Sequence, residues 1–298
     1  MGLHDRIVVL GFQCLLEVSA LKIFNWGAAY SNHLVVKKSA EIVDSWLLQG
    51  QAYKASQWEH GSFDIAYGEG LREVLDVYSP AGEVSGTLIF IHGGYWQAFS
   101  KNDHAQFAEG ALARRWRVVI LDYPLCPAAS ITHIVDCVRR GIEFTAKLWN
   151  EGPIVLAGHS AGGHLVTQVA SSRGALTPEC KARISRVVSM SGIHDLRPLL
   201  GASELNAVIG LDCQQARALS PVLDEPGHDF ELICVCGSEE LPEFRRQNTI
   251  LASLWLGMGI TTESFEVRER HHFNLLDELK QSTSRLSEIL TLARVRTR

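Results

Sequence analysis

Ser160 lies in the run Gly158-His159-Ser160-Ala161-Gly162, directly after the apolar stretch Pro153-Ile-Val-Leu-Ala157 and at the head of a helical pattern over 161–171. A serine hydroxyl becomes a useful nucleophile only when a base removes its proton and a third group orients that base. A sharp strand-to-helix turn can present such a serine in a strained backbone, provided the residues at −2 and +2 are very small. Both are glycines here, so Ser160 is the candidate nucleophile, against the plainer reading of a glycine-containing turn. In sites of this type the order along the chain is serine, acid, histidine. The histidines after His228 are His271 and His272, between the last strand-like run and the last helical one. His272 is the expected base, and two exposed helix-start histidines are the alternative. The acid should follow the apolar run 231–236, where the chain reads Gly237-Ser-Glu-Glu-Leu-Pro-Glu243 without an aspartate. Glu240 is the first choice, Glu239 the second, and Asp195, after an earlier strand, a third. His159 and His164, beside the serine, read as packing or capping residues.

Attack on a carbonyl creates an oxyanion that needs donors already in place. The run Ile91-His92-Gly93-Gly94-Tyr95-Trp96 follows a strand-like stretch at the position expected for a donor loop. Gly93 and Gly94 would bring backbone N–H groups close to the substrate, and Ala161, next after the serine, would supply the third. His92 is expected to orient the loop by hydrogen bonding. Tyr95 and Trp96 either narrow the acyl side of a substrate pocket and offer it an aromatic wall, or pack to fix the loop.

The elements that must hold these residues are short and alternate in type. Phe63–Tyr67 and Leu71–Tyr78 flank Gly68-Glu-Gly70 as a hairpin. Strand-like runs follow at 86–91, 116–121, 153–157, 184–190, 231–236 and 262–267, several of them continuously apolar, as parallel strands covered on both faces must be. Helical patterns fill 103–114, 131–148, 161–171, 243–256 and 273–293. The alternation predicts an α/β fold with a mostly parallel central sheet and helices on both faces. Residues 192–228 contain no strong strand and read as a small cap over the C-terminal edge of the sheet, where ligands bind in open α/β sheets. No linker divides the chain. We expect a leader or helix over 1–25 and a single domain over 26–298.

Composition narrows the classes. Of 298 residues, 46% are hydrophobic and 20% charged, enough apolar content for a large core and too much for a disordered chain. With 28 basic and 33 acidic residues the formal charge is −5, which argues against a partner held through phosphate neutralisation, so no nucleic acid is expected. Seven scattered cysteines, with no Cys-x-x-Cys pair, read as buried small hydrophobes in a reducing compartment. No spacing suits a metal site, and no metal or cofactor is expected. The apolar stretch Ile7–Leu16 is too short for a membrane span and is interrupted by Glu17 and Lys22. It reads as a packed or loosely ordered helix, with a cleaved secretory leader as the alternative to a cytoplasmic protein. The terminal Ala293-Arg-Val-Arg-Thr-Arg298 reads as a frayed basic tail.

Five runs in order, His92-Gly-Gly-Tyr-Trp-Gln97, Gly158-His-Ser-Ala-Gly-Gly-His-Leu165, Ser191-Gly-Ile-His-Asp-Leu196, Pro242-Glu-Phe-Arg-Arg-Gln247 and His272-Phe-Asn-Leu-Leu276, resemble the kynurenine formamidase (arylformamidase) family of hormone-sensitive-lipase-like α/β-hydrolases. The likeness extends over roughly residues 26–290, and Tyr67-Gly-Glu-Gly70 also fits. It implies the α/β-hydrolase fold and cytosolic hydrolysis of N-formyl-L-kynurenine to L-kynurenine and formate in tryptophan catabolism, without a metal. By motif position it places the nucleophile at Ser160, the acid at Glu240, the base at His272 and the oxyanion donors at Gly93, Gly94 and Ala161. Vertebrate members usually carry aspartate where Glu240 stands, and the first 25 or so residues have no counterpart. The expected partner is a small molecule resembling N-formylkynurenine; a homodimer is compatible with the sequence. A broad carboxylesterase with the same triad, and a non-catalytic binding protein on this fold, are the competing readings. Arg197 and Asn248 are weak candidates for the amino-acid end of the substrate, each reading more readily as a solvated surface residue.

Overall fold

The computed structural model describes residues 25–292. The leader or helix expected over 1–25, Cys14 and the basic tail from Ala293 therefore lie outside the described residues, apart from Asn25. Eight strands form one sheet: β1 (Gly61–Ala66), β2 (Val74–Tyr78), β3 (Thr87–Ile91), β4 (Arg117–Leu121), β5 (Ile154–His159), β6 (Ile184–Met190), β7 (Glu231–Gly237) and β8 (Thr261–Val267). Their order is β1-β2-β4-β3-β5-β6-β7-β8. The hairpin strands β1 and β2 are antiparallel, β2 joins β4 antiparallel, and all pairs from β4 to β8 are parallel. The sheet is thus mostly parallel, as its continuously apolar strands require.

Successive side chains on a strand point to opposite faces, so each inner strand feeds two cores. Ile89 and Ile91 of β3 pack with Val119 and Leu121 on one face, and Leu88 and Phe90 pack with Val118 and Ile120 on the other. Helices cover both faces: α1 (Trp26–Ala29), α2 (Asn32–Val35), α3 (Ser39–Ser56), α4 (Glu109–Ala113), α5 (Ile131–Leu148), α6 (Ala161–Ala170), α7 (Pro178–Arg183), α8 (Ser203–Ile209), α9 (Cys213–Ala218), α10 (Pro242–Trp255) and α11 (Arg285–Thr291). In α5 the Ser130 hydroxyl caps the first turn, and Ile131, Ile134, Val138 and Ile142 form the buried stripe. On the opposite face, Trp46 of α3 packs with Phe107, Leu275 and Leu286.

Strands and the central helices fall within a few residues of the expected bounds; two expected helices do not form as single pieces. In place of one helix over 103–114, the chain makes two 3₁₀ turns, Lys101–Asp103 and Ala105–Ala108, before α4, because the Asp103 carboxylate folds back onto the Ser100 N–H at 2.8 Å and closes a tight turn. Over 273–293 the run divides into a 3₁₀ segment and α11. The Ser284 hydroxyl accepts the Ser287 N–H at 3.0 Å and donates to the Glu278 carbonyl at 2.6 Å, starting a new helix instead of continuing the old one. Helices α1 to α3 were not anticipated, although Ile42, Val43, Trp46 and Tyr53 recur at helical spacing.

The strand order reverses around β3. Its successor β4 lies on one side and β5 on the other, so the loops leaving β3 and β5 diverge at the C-terminal edge of the sheet and open a crevice. The His92–Trp96 loop follows β3, and Ser160 follows β5. No helix among the described residues is long and apolar enough to cross a membrane.

Candidate active site

Ser160 separates β5 from α6 with φ +55° and ψ −118°, a backbone conformation that costs a non-glycine residue energy and persists only when its surroundings enforce it. The enforcement comes from crowding. A Cβ on Gly158 would meet the Gly162 carbonyl oxygen at 2.1 Å, and one on Gly162 would meet that of Ile91 at 2.1 Å. Both small residues flanking the serine are therefore sterically required. The loop after β3 presses on the same point, since a Cβ on Gly93 would stand 3.0 Å from Ser160 Cβ.

His272 borders the same cavity as Ser160. Its Nδ1 is 2.9 Å from Glu240 Oε2. A carboxylate only accepts, so Nδ1 donates to it and a neutral ring keeps its lone pair on Nε2. The other Glu240 oxygen accepts from the Ser191 hydroxyl at 2.5 Å and the Gly237 N–H at 2.7 Å. Glu240 is buried and Glu239 exposed, which separates the two adjacent candidates. Asp195 is engaged by Arg197 at 2.8 Å; burial would raise its pKa, but that guanidinium outweighs burial and holds it below the usual carboxylate range.

The imidazole of His272 is boxed by His159, Phe244 and Phe273, with ring centroids 4.6, 4.7 and 5.5 Å away. His159 does more than pack: its Nε2 donates to the His272 carbonyl at 2.9 Å, tying the histidine loop to the serine turn. Burial, helped by the neighbouring His272, drives the His159 pKa well below the ordinary histidine value, so this tether is neutral. His164 similarly donates from Nε2 to the Leu219 carbonyl at 2.8 Å. His271 is half-buried, with its pKa lowered by burial.

His92 is buried, with Nδ1 2.8 Å from the Gly93 carbonyl and Nε2 3.1 Å from Asp122 Oδ1. Tyr123 stacks on it at 4.2 Å and donates its hydroxyl to the His92 carbonyl at 2.8 Å. Burial would raise the Asp122 pKa; the contacts of His92 and Arg72 overcome that and hold it low. Gly94 and Tyr95 border the cavity, and Ala161 opens α6, whose first N–H groups have no acceptor within the helix.

Trp96 does not border the cavity. It is fully buried, edge-on to His164 at 5.2 Å, because the loop turns it into the core beneath α6. Its assignment to a substrate wall is thus corrected to loop packing. Tyr95 is held by its hydroxyl, which donates to the Tyr30 carbonyl. Residues 192–228, expected as a small cap, do not line the cavity containing Ser160; Gly201–Leu205 border an adjoining hollow together with Tyr95 and Gln97. The cover is built by α2 and α3, through Asn32, Val43, Asp44 and Trp46. Arg197 and Asn248 also lie off the cavity, and Asn248 is buried, donating to the Phe265 carbonyl. Five cysteines are buried as expected, whereas Cys213 on α9 is exposed.

The cavity measures about 440 Å³ and includes Trp46, Phe99 and Phe273 in its walls. A larger hollow of about 630 Å³ between α5 and α7 offers Cys180, whose thiol burial pushes up to about 12 and keeps protonated. Although sequence spacing shows no metal-ligand cluster, the fold gathers Glu73, His133 and Cys137, with donor atoms within 4.8 Å of one another. Arg140 Nη2 sits 3.1 Å from both the Cys137 sulfur and Glu73 Oε2, so a resident guanidinium already serves that carboxylate.

A family model described as BD-FAE matches residues 75–221. The chain is 28% identical over 239 residues to a kynurenine formamidase of Salmo salar and 27% over 235 residues to one of Danio rerio, in each case covering 76% of this chain and 80% of the relative. Among solved structures, a protein from Silicibacter sp. tm1040 described as a candidate thioesterase is 34% identical, with a TM-score of 0.84 over 89% of this chain and 98% of its own. Esterase B of Lactobacillus rhamnosis shares the fold at 17% identity, with a TM-score of 0.61 over 84% of this chain and 92% of its own.

Proposed function

Because this chain belongs to the hormone-sensitive-lipase-like α/β-hydrolases, the family that holds the kynurenine formamidases, we propose that it is a serine hydrolase that cleaves N-formyl-L-kynurenine to L-kynurenine and formate. The observation that carries the proposal is His272, held by Glu240 at 2.9 Å, on the wall of the cavity that also holds the strained Ser160.

In this reading Ser160 Oγ attacks the formyl carbon while His272 Nε2 takes its proton. The tetrahedral oxyanion is met by the N–H groups of Gly93, Gly94 and Ala161, and losing one such donor costs about 3–4 kcal/mol of barrier. His272 then passes the proton to the departing aniline nitrogen, the C–N bond breaks, and a formyl-serine remains. Water deprotonated by His272 adds to that ester, and formate leaves as Ser160 regains its proton. Glu240 holds the imidazole in the required tautomer and stabilises its cation.

A formyl group is the smallest acyl group, so the acyl side can be closed. Tyr95, pinned to Tyr30 at the cavity wall, is the residue we assign to that closure. A second reading, an ester or thioester hydrolase with the same residues, is favoured by the 34% identity to the Silicibacter protein. The kcat/KM values on N-formylkynurenine, p-nitrophenyl acetate and an acyl thioester separate the two. A preference of at least tenfold for the formamide is expected; a preference for either ester class would replace the formamidase reading.

A further inference from the structure

Asn32 on α2 is only 4% exposed, and neither its Oδ1 nor its Nδ2 has a hydrogen-bond partner, yet the residue borders the cavity that holds Ser160. A buried carboxamide with both ends unmet is costly, and native structures rarely keep one without use. Asp44 on α3 stands exposed at the rim of the same cavity and makes no ion pair among the described residues. Trp46, Phe99 and Phe273 line the same cavity.

We propose that Asn32 and Asp44 form a leaving-group subsite selecting aryl amines that carry a carbonyl and a cationic amine tail. The aromatic walls flank the ring, the unmet Asn32 carboxamide donates to the carbonyl, and the Asp44 carboxylate faces the ammonium. An apolar pocket discriminates weakly among rings of similar size, whereas a buried polar group built for a partner rejects ligands that lack it. This rests on the formamidase reading for its geometry, since it places the departing amine between Ser160 and α2.

Calorimetric titration of the full chain with aniline, 2-aminoacetophenone and L-kynurenine adds the ring, the carbonyl and the amino-acid tail one at a time. Affinity is expected to rise at least fivefold at each step. Asn32→Leu should cancel the gain at the carbonyl step while leaving aniline binding and the melting temperature unchanged or raised. Asp44→Asn should cancel the gain at the tail step alone. Equal affinities for the three ligands in the wild type would overturn the subsite. So would an Asn32→Leu protein that melts lower and loses all three equally, since Asn32 would then be structural. Binding needs no turnover: if the stepwise gains appear without N-formylkynurenine cleavage, the reaction assignment fails and the subsite stands. Cleavage without those gains means the reverse.

Discussion

Glu240 commits both carboxylate oxygens to partners, one to His272 and one to Ser191 and Gly237. Glu240→Gln keeps the size but can offer an N–H to Nδ1, favouring the wrong imidazole tautomer. We predict a fall in kcat of roughly 10³–10⁴-fold with little change in melting temperature. A loss below tenfold in steady-state assays would remove Glu240 from the mechanism. Tyr95→Gly should lower formyl-over-butyryl selectivity at least tenfold; unchanged selectivity would reduce Tyr95 to a packing role. At this scale the serine turn was legible because its requirement is local, two glycines around one residue. The choice between Glu239 and Glu240 was less so, since neighbours at a strand end differ only in which way the chain turns. The part of Ser191 in holding Glu240 left no separate signal, because 49 residues separate the two.

Among the elements, α2 and α3 decide the shape of the cavity, and α10 anchors the residue Tyr30 that precedes them. Gln247 of α10 accepts the His194 and Asp195 N–H groups at 2.8 Å and donates to Glu243 and to the Tyr30 hydroxyl. Tyr30 in turn donates to Glu243 at 2.7 Å, and its carbonyl receives Tyr95. A line of hydrogen bonds thus runs from α10 through the segment between α1 and α2 to the cavity wall. Gln247→Leu would strand two buried N–H groups at about 1–3 kcal/mol each, so we predict a loss of roughly 2–5 kcal/mol in urea unfolding. A change under 1 kcal/mol would show the network to be dispensable. The run Pro242–Gln247 was visible as a motif, but its role as an anchor for helices more than 200 residues earlier was not. Likewise the lack of strands over 192–228 points to a cover there, but composition cannot say which helix folds over which edge.

Across the whole molecule, the buried histidines set the response to acid. His104 and His194 are pushed down to about 3 and His164 to about 4 by burial, and His159 well below its ordinary value. In the unfolded chain each titrates near 6.5, so between that pH and about 4 the unfolded state binds protons that the folded state refuses. Stability is therefore complete above pH 7 and falls as pH drops below 6.5, by up to roughly 1.4 kcal/mol per pH unit for each group. The depressed carboxyls of Asp122 and Asp195 contribute only at lower pH, as the pH drops below about 4. Urea midpoints at pH 8, 6 and 5 should fall steadily below 6.5; a flat profile would mean that these histidines take up protons in the fold as readily as in the unfolded chain. The α/β class was readable from alternating runs, since each run is local. The strand order that sets the crevice between β3 and β5 depends on long-range pairing that no window of sequence contains.

The account turns on the reactivity of one hydroxyl. A fluorophosphonate probe, followed by peptide mass spectrometry, reads it directly. The account predicts stoichiometric labelling at Ser160, abolished in Ser160→Ala and slowed at least a hundredfold in His272→Ala. Folded wild-type protein that resists the probe, or carries it on another residue, would contradict it.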